Sequence, residues 1–381
     1  MFAFINPLIL IWQNMFTIAA GLIGLTFLVT FHEFGHFLFC KLFNIHTPSF
    51  SIGLGPYLYS KKIGDTVFAI SAIPAGGYVE IAGAVEVGQG EQEHANRQDQ
   101  YSFSSKPFYQ KFLVMSGGIL ANLLFAYVAI IAVCWAGLPQ SPLAYPENGT
   151  TTIKTVVENS AAAKYGLQVG DTVIAFNKEQ INGDPQKLID LIRSHANKPV
   201  ILRVQRANTE QDIPVTLGEQ KSMGVLGVGY NLTEVPGYSF FEAIKKGIKM
   251  TNERIVGTAQ AFKHMFSNRD FSDLQGPIGI ISIASEGAAA GIKVLLLLLA
   301  IISINLALLN LLPLPILDGG QVLFYGIEAL IGKPLPNKIR EYIHLATWLL
   351  LIGLLLYISA KDIFRIASSC MEYVSKAPVT K

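Results

Sequence analysis

Charge is scarce in this chain. Of 381 residues, 29 are Lys or Arg and 27 are Asp or Glu, 15% together, where soluble domains carry about a quarter. The net charge is only +2 and no basic run stands out, which excludes a nucleic-acid partner. Cysteine is rarer still. Cys40, Cys134 and Cys370 are scattered, two of them in or beside apolar stretches, so a disulfide framework is excluded and they read as small apolar residues. Charge is absent altogether from Met1 to Phe31. A start without a positive n-region is not a secretory signal peptide, so the first apolar stretch is expected to be retained.

Apolar residues fill the gap, at 51% of the chain. Four charge-poor stretches reach the roughly 20 residues needed to cross a bilayer core: Met15–Cys40, Phe112–Leu138, Val294–Leu317 and Tyr342–Ala360. Between the second and third lies an ordinarily polar segment of a length that suits one small domain. The expected class is an α-helical polytopic membrane protein with about four transmembrane helices and one inserted domain.

Orientation follows from Lys and Arg in the short loops. The loop after the first span carries Lys41, Lys61, Lys62, Arg97, Lys106 and Lys111, and the loop after the third carries Lys333, Lys338 and Arg340. Both loops are expected on the cytoplasmic side, with the termini and the inserted domain outside. Lys245, Lys246 and Lys249 point the other way, but long translocated segments largely escape the rule. Spans one and three then run in the same direction, and their C-terminal ends lie at similar depth.

At that depth the first span carries His32-Glu33-Phe34-Gly35-His36, an H-E-x-x-H pattern. Positions i and i+4 share a helix face, so both imidazoles can reach one ion, with Glu33 beside it as general base. Ionisable groups inside a span are costly and mark function, and three within five residues call for a charge partner. The bland alternatives are chance or two core histidines. A catalytic zinc takes three protein ligands and keeps one position open. Asp318, in Asn310-Leu-Leu-Pro313-Leu-Pro315-Ile-Leu-Asp318-Gly319-Gly320, ends the third span at matching depth. Two prolines and two glycines break the helix there, so its carboxylate can turn inward. The alternative is that it caps the helix expected at Gln321–Leu330. Glu328 and Asp362 are rivals in ordinary contexts. His46, His94, His195, His264 and His344 fit no motif.

These two motifs together resemble the site-2 protease family of intramembrane zinc metalloproteases, in its bacterial RseP-like branch, over nearly the whole chain. The resemblance implies zinc held by His32, His36 and Asp318, with Glu33 catalytic. It implies substrate handling by Asn305 and Asn310, and a loop shaped by Pro313 and Pro315. Ser116–Asn122 is similar to the family's second-span G-P-x-x-N signature but has Ile119 where proline is usual.

In the loop Phe50–Ala82, Thr66–Ser71 and Gly77–Ile81 read as short strands around Pro74-Ala75-Gly76-Gly77. Similar proteins dip such a β-hairpin into the membrane, where a free edge can hold an unwound substrate strand. A cytoplasmic hairpin without a substrate role is the alternative. Gly88–Gln100 reads as a polar linker. From Thr151 to Leu217, strand-like and helix-like runs alternate around Gly166-Leu167-Gln168-Val169-Gly170-Asp171. Their order is similar to a single PDZ domain, acting as a size filter or as a peptide receptor. Phe241, Ile244, Ile248, Ile255 and Phe262 give Phe240–Phe266 one apolar face, expected to lie on the membrane surface. Pro277–Ala290 is apolar but too short to span.

The expected architecture has four parts. Residues 1–140 hold two transmembrane helices with H-E-x-x-H and a cytoplasmic-side membrane-associated β-hairpin. Residues 150–219 form the extracytoplasmic PDZ-like α+β domain, 220–290 an amphipathic linker, and 291–381 the last two transmembrane helices with the Leu-Asp-Gly-Gly motif. The resemblance implies a zinc-dependent intramembrane endopeptidase of the bacterial cytoplasmic (inner) membrane, with its active site near the cytoplasmic face. Its partners would be the lipid bilayer and single-pass transmembrane substrates, such as trimmed anti-sigma factors or remnant signal peptides. A zinc transporter, with ligands repeated at several depths, and a non-catalytic scaffold are the rival readings.

Overall fold

The computed structural model describes residues 7–84, 94, 97–220, 223–269, 275–333, 336, 342–343 and 345–361. Most of Gly88–Gln100, together with Lys338, Arg340, His344, Asp362 and Cys370, lies outside them. The chain divides into two compact units, Val133–Ile244 and the remainder on either side of it.

In the larger unit, helix α1 (Pro7–Leu42) is one long apolar run. It stops where Asn44 takes a left-handed conformation, φ 51°, the usual device at a helix C-terminus. Strands β1 (Ser49–Ile63) and β2 (Thr66–Val79) follow, then α2 (Phe108–Ala136). Three helices are long and apolar enough to cross a membrane: Met15–Leu42 within α1, α2, and α7 (Ile292–Asn310, labelled in chain order with the helices below). The third span is shorter than hydropathy suggests. It ends at Asn310, not Leu317, because Pro313 and Pro315 lack the N–H groups a helix needs. Among the described residues, the fourth stretch forms an apolar helix over Leu345–Lys361.

Glycines set how closely the helices approach. A Cβ on Gly21 would lie 2.9 Å from the Ala284 carbonyl carbon, and one on Gly24 would lie 2.9 Å from Leu299. Where α1 crosses α2, Gly35 and Gly117 put backbone against backbone. Small residues at a crossing let van der Waals packing hold helices together in lipid.

The hairpin turns at Gly64-Asp65, with Gly64 at φ 60°, the first-position glycine of a tight antiparallel turn. It pairs Ile63 with Thr66 through to Tyr59 with Ile70. Two short strands were expected around Pro74–Gly77; instead β2 continues through them. Ser51 then has two partners, Ala69 and Tyr78, so β1 and β2 fold back into a small sheet. The far end of β2 climbs alongside α1. Thr26 Oγ1 donates to the Pro74 carbonyl at 2.5 Å, and a Cβ on Gly77 would lie 3.0 Å from Thr30 Oγ1.

The inserted unit contains β3 (Gly149–Val156), α3 (Ala161–Lys164), β4 (Thr172–Phe176), β5 (Glu179–Gln180), α4 (Pro185–Ser194), β6 (Pro199–Arg206), β7 (Thr209–Thr216), β8 (Gly218–Gln220), β9 (Met223–Val225) and β10 (Val228–Leu232). Its main sheet has the order β10-β3-β4-β6-β7, with β5 on β4. Asp184 caps α4 by accepting from the Gln186 and Lys187 amides. The helix then buries Leu188 and Ile192 against Val173, Phe176, Leu202 and Val204. The expected boundary at 219 falls short, because β10 completes the sheet by pairing with β3. Residues 220–290 are therefore not one linker. Helix α5 (Phe240–Asn268) follows, with Phe241 and Ile248 of its expected apolar face exposed. Beyond it come α6 (Pro277–Ala289), α7, and α8 (Asp318–Ile331).

Candidate metal centre

Helix periodicity stacks His32 and His36 one turn apart on α1, and both rings are buried. The third side chain arrives from the break after α7. Leu311–Leu317 makes a compact turn in which the Leu317 amide donates to the Leu314 carbonyl at 2.8 Å, and α8 starts on Asp318. The two following glycines are what let α8 begin there. A Cβ on Gly319 would lie 2.6 Å from the Leu311 carbonyl oxygen, and one on Gly320 would strike the Leu314 carbonyl outright.

Asp318 does not cap its helix. The N-cap is Leu317, and no side chain makes a capping bond. The carboxylate turns instead to the histidines, Oδ2 at 3.3 Å from His32 Nε2 and Oδ1 at 3.6 Å from His36 Nε2. The two Nε2 atoms are 3.2 Å apart. Ligands about 2.05 Å from a tetrahedral zinc stand about 3.3 Å from one another, so all three edges suit that ion. Asp318 Oδ2 is buried yet receives no hydrogen bond, as expected of an oxygen whose partner is a cation. Among the described residues this is the one group of three or more His, Cys, Asp or Glu side chains drawn tightly together. Ligands repeated at several depths, as a transport path would need, are not seen among them. Glu328 lies about 15 Å further along α8.

The other sequence-selected residues separate. Glu33 is half-buried beside His32, and its carboxylate accepts from the Val79 amide at the end of β2. Asn310 is buried, with Nδ2 3.5 Å from His32 Nε2. Asn305 is half-buried on the same helix but about 140° around it from Asn310, away from the cluster. Pro313 is exposed, and Pro315 offers its carbonyl to Gln321 Nε2 at 2.7 Å.

Sequence reading had assigned no role to the groups that surround the rings. His36 Nδ1 donates to the Val114 carbonyl at 2.8 Å, which leaves Nε2 bare for a metal. Asn122, fully buried on α2, stands 3.0 Å from His32 Nδ1. Gly118 lies directly under both imidazoles. The available signal was the Ser116–Asn122 stretch already similar to the family's second-span signature, with Asn122 an amide side chain inside an apolar span.

The sequence profile of Peptidase family M50 matches residues 20–354. A protein of Nostoc sp. provisionally named a zinc metalloprotease is 31% identical over 94% of this chain and 99% of its own length. The zinc metalloprotease RasP of Geobacillus kaustophilus is 29% identical over 88% of this chain and 95% of its own. The chloroplastic membrane metalloprotease ARASP of Arabidopsis thaliana is 30% identical over 89% and 76%. Among solved structures, the PDZ domain of an SdrC-like protein from Listeria monocytogenes covers 22% of this chain and 87% of its own at 19% identity. Its TM-score of 0.20 carries no argument.

Proposed function

The chain belongs to Peptidase family M50, and from that premise we propose that this membrane zinc metalloendopeptidase cuts within the transmembrane segments of single-pass proteins. The observation that carries the reading is the place of the His32–His36–Asp318 cluster, with both histidines on a spanning helix, Asp318 just past the end of another, and a strand that climbs α1 from Gly77 to Val79 beside them.

A peptide bond inside a transmembrane helix is shielded and must be unwound before attack. The Glu80 amide donates back to the Ser49 carbonyl. By strand alternation, Gly77 and Val79 turn their backbone groups the other way, toward Glu33 and the cluster. Thr26, which holds Pro74, lies 15 residues before Lys41 on α1, a rise of about 22 Å. At such depth main-chain polar groups cannot face lipid, so an extended substrate strand is the natural partner for those of Gly77, the Val79 amide being engaged by Glu33.

His32, His36 and Asp318 would hold the zinc, which supplies Lewis acidity to activate water and polarise the scissile carbonyl. Glu33 takes the proton from the attacking water on its carboxylate and delivers it to the leaving nitrogen. Asn310, with its amide beside His32, binds the substrate strand or the developing oxyanion.

On the loop charges, the enzyme sits in a bacterial cytoplasmic membrane with its termini and inserted unit outside and its site near the cytoplasmic face. The inserted unit is read as PDZ-like, serving as a filter that keeps intact ectodomains from the site. Substrates would then be proteins already trimmed outside, such as anti-sigma factors, or remnant signal peptides. The test is Glu33→Gln in cells expressing a tagged single-pass substrate. Cleavage should fall by at least ~10²-fold with zinc content unchanged; undiminished cleavage would sink the mechanism.

A further inference from the structure

We propose that Asn122 is a positioning residue for the metal centre: its side-chain oxygen accepts the Nδ1 proton of His32 and so keeps Nε2 bare for the ion. The proposal rests on the three-ligand reading above and goes beyond it, to what chooses the tautomer of the first ligand.

Only a nitrogen with a free lone pair can bind a metal, so each neutral ligand imidazole must carry its proton on the other nitrogen. For His36 the Val114 carbonyl, 2.8 Å from Nδ1, settles this, since a carbonyl can only accept. His32 has no such simple partner. Its Nε2 faces Asp318 at 3.3 Å and His36 Nε2 at 3.2 Å, and its Nδ1 faces Asn122 Nδ2 at 3.0 Å.

An amide can present either end. If Nδ2 donates to Nδ1, the ring proton sits on Nε2, aimed at the other two ligands, and the site cannot close on a metal. If Oδ1 accepts from Nδ1–H, three lone pairs converge. One observation favours the second arrangement: with Nδ2 toward the ring, Asn122 Oδ1 is buried without a donor, whereas half a turn of the amide gives that oxygen the Nδ1 proton.

The backbone is arranged to hold this side chain still. Asn122 is fully buried, and its carbonyl accepts from Ser303 Oγ of α7 at 2.9 Å. The helix that positions His32 from behind is thereby tied to the helix that leads to Asp318.

The test compares zinc affinity of the full-length protein in detergent, by competition with a chromophoric chelator, for Asn122→Ala and Asn122→Asp. Alanine removes the acceptor and should weaken zinc about 10–100-fold, as the loss of an outer partner does. Aspartate keeps an acceptor and cannot donate, so it should hold affinity within about threefold of the unmodified protein. Zinc binding unchanged by alanine, or weakened equally by both, would overturn the proposal. Nitrogen-15 spectra of histidine-labelled, zinc-free protein give a readout independent of any variant's folding. They should show a proton on His32 Nδ1 whether or not Nε2, which faces Asp318, carries one too; a bare Nδ1 would refute it. Asp318→Ala separates the two levels. If it keeps full zinc, the ligand set itself falls. If it loses zinc while Asn122→Ala keeps it, only the role of Asn122 falls.

Discussion

Replacing Gly118 with alanine isolates what α2 contributes to the metal centre. A Cβ there would lie 2.5 Å from His36 Nε2 and 2.6 Å from His32 Nδ1, and nearer still to His32 Cε1. Ordinary contact begins at 3.4 Å, so the rings would have to retreat by about 0.9 Å. Neither is free to do so without breaking its bond to Val114 or Asn122. Metal–ligand distances tolerate only about 0.2 Å, and the required shift is several times larger. Two effects on stability oppose each other. Alanine favours a helix over glycine by about 1 kcal/mol, and crowding a packed interior costs about 1–3 kcal/mol. The zinc-free variant should therefore change in stability by no more than about 2 kcal/mol, while zinc affinity falls toward ~10²-fold. Chelator competition in detergent measures the affinity, and a melt of the zinc-free protein measures the stability. Affinity within about threefold of the unmodified protein would refute the idea that Gly118 is required beneath the rings.

Gly320→Ala should act at the other end of the site. Its Cβ would strike the Leu314 carbonyl and lie 2.7 Å from Pro315 N, so α8 must shift and carry Asp318 with it. Zinc content should drop, with about 2 kcal/mol of lost stability; full zinc content would show that the turn can absorb the methyl. In the inserted unit, burial pushes the Asp171 carboxyl up, but Arg206 and the Gln168 amide outweigh it and hold the group below the usual range. A depressed folded-state pKa stabilises fully above the unfolded value near 3.9 and is lost as pH falls through the folded value. Hydrogen-exchange protection at β4, taken relative to the intrinsic exchange rate at each pH, should thus fall below about pH 4. Arg206→Ala should cost about 2 kcal/mol at neutral pH and flatten that response. An unchanged acid response in the variant would disconnect the pair from it.

How much was legible depended on the range of the interaction. The pairing of His32 with His36 follows from helix repeat alone, within five residues. The inserted strands and α4 were legible because Asp184, Pro185 and the alternating runs around them are local signals. The third span was overread by seven residues because apolarity continues through Leu311–Leu317, and hydropathy does not register the missing N–H groups of Pro313 and Pro315. Strand β10 was missed because Val228–Leu232 becomes a strand only through β3, more than 70 residues earlier. Asn305 and Asn310 looked equivalent as letters, yet helix phase turns only Asn310 toward His32.

Composition and local periodicity thus settle that this is a membrane protein, place two histidine rings on one helix face, and mark Asp318 at a broken helix. They cannot say what stands behind the rings. Val114, Gly118 and Asn122 reach His32 and His36 because Gly35 and Gly117 let α1 and α2 cross backbone against backbone. Asp318 reaches them because Gly319 and Gly320 let α8 start beneath its own preceding turn. Such approaches depend on the packing of segments that the chain separates by tens of residues, in a medium where close van der Waals fit holds helices together. The candidate ligands are thus legible along the chain, and their orientation belongs to the fold.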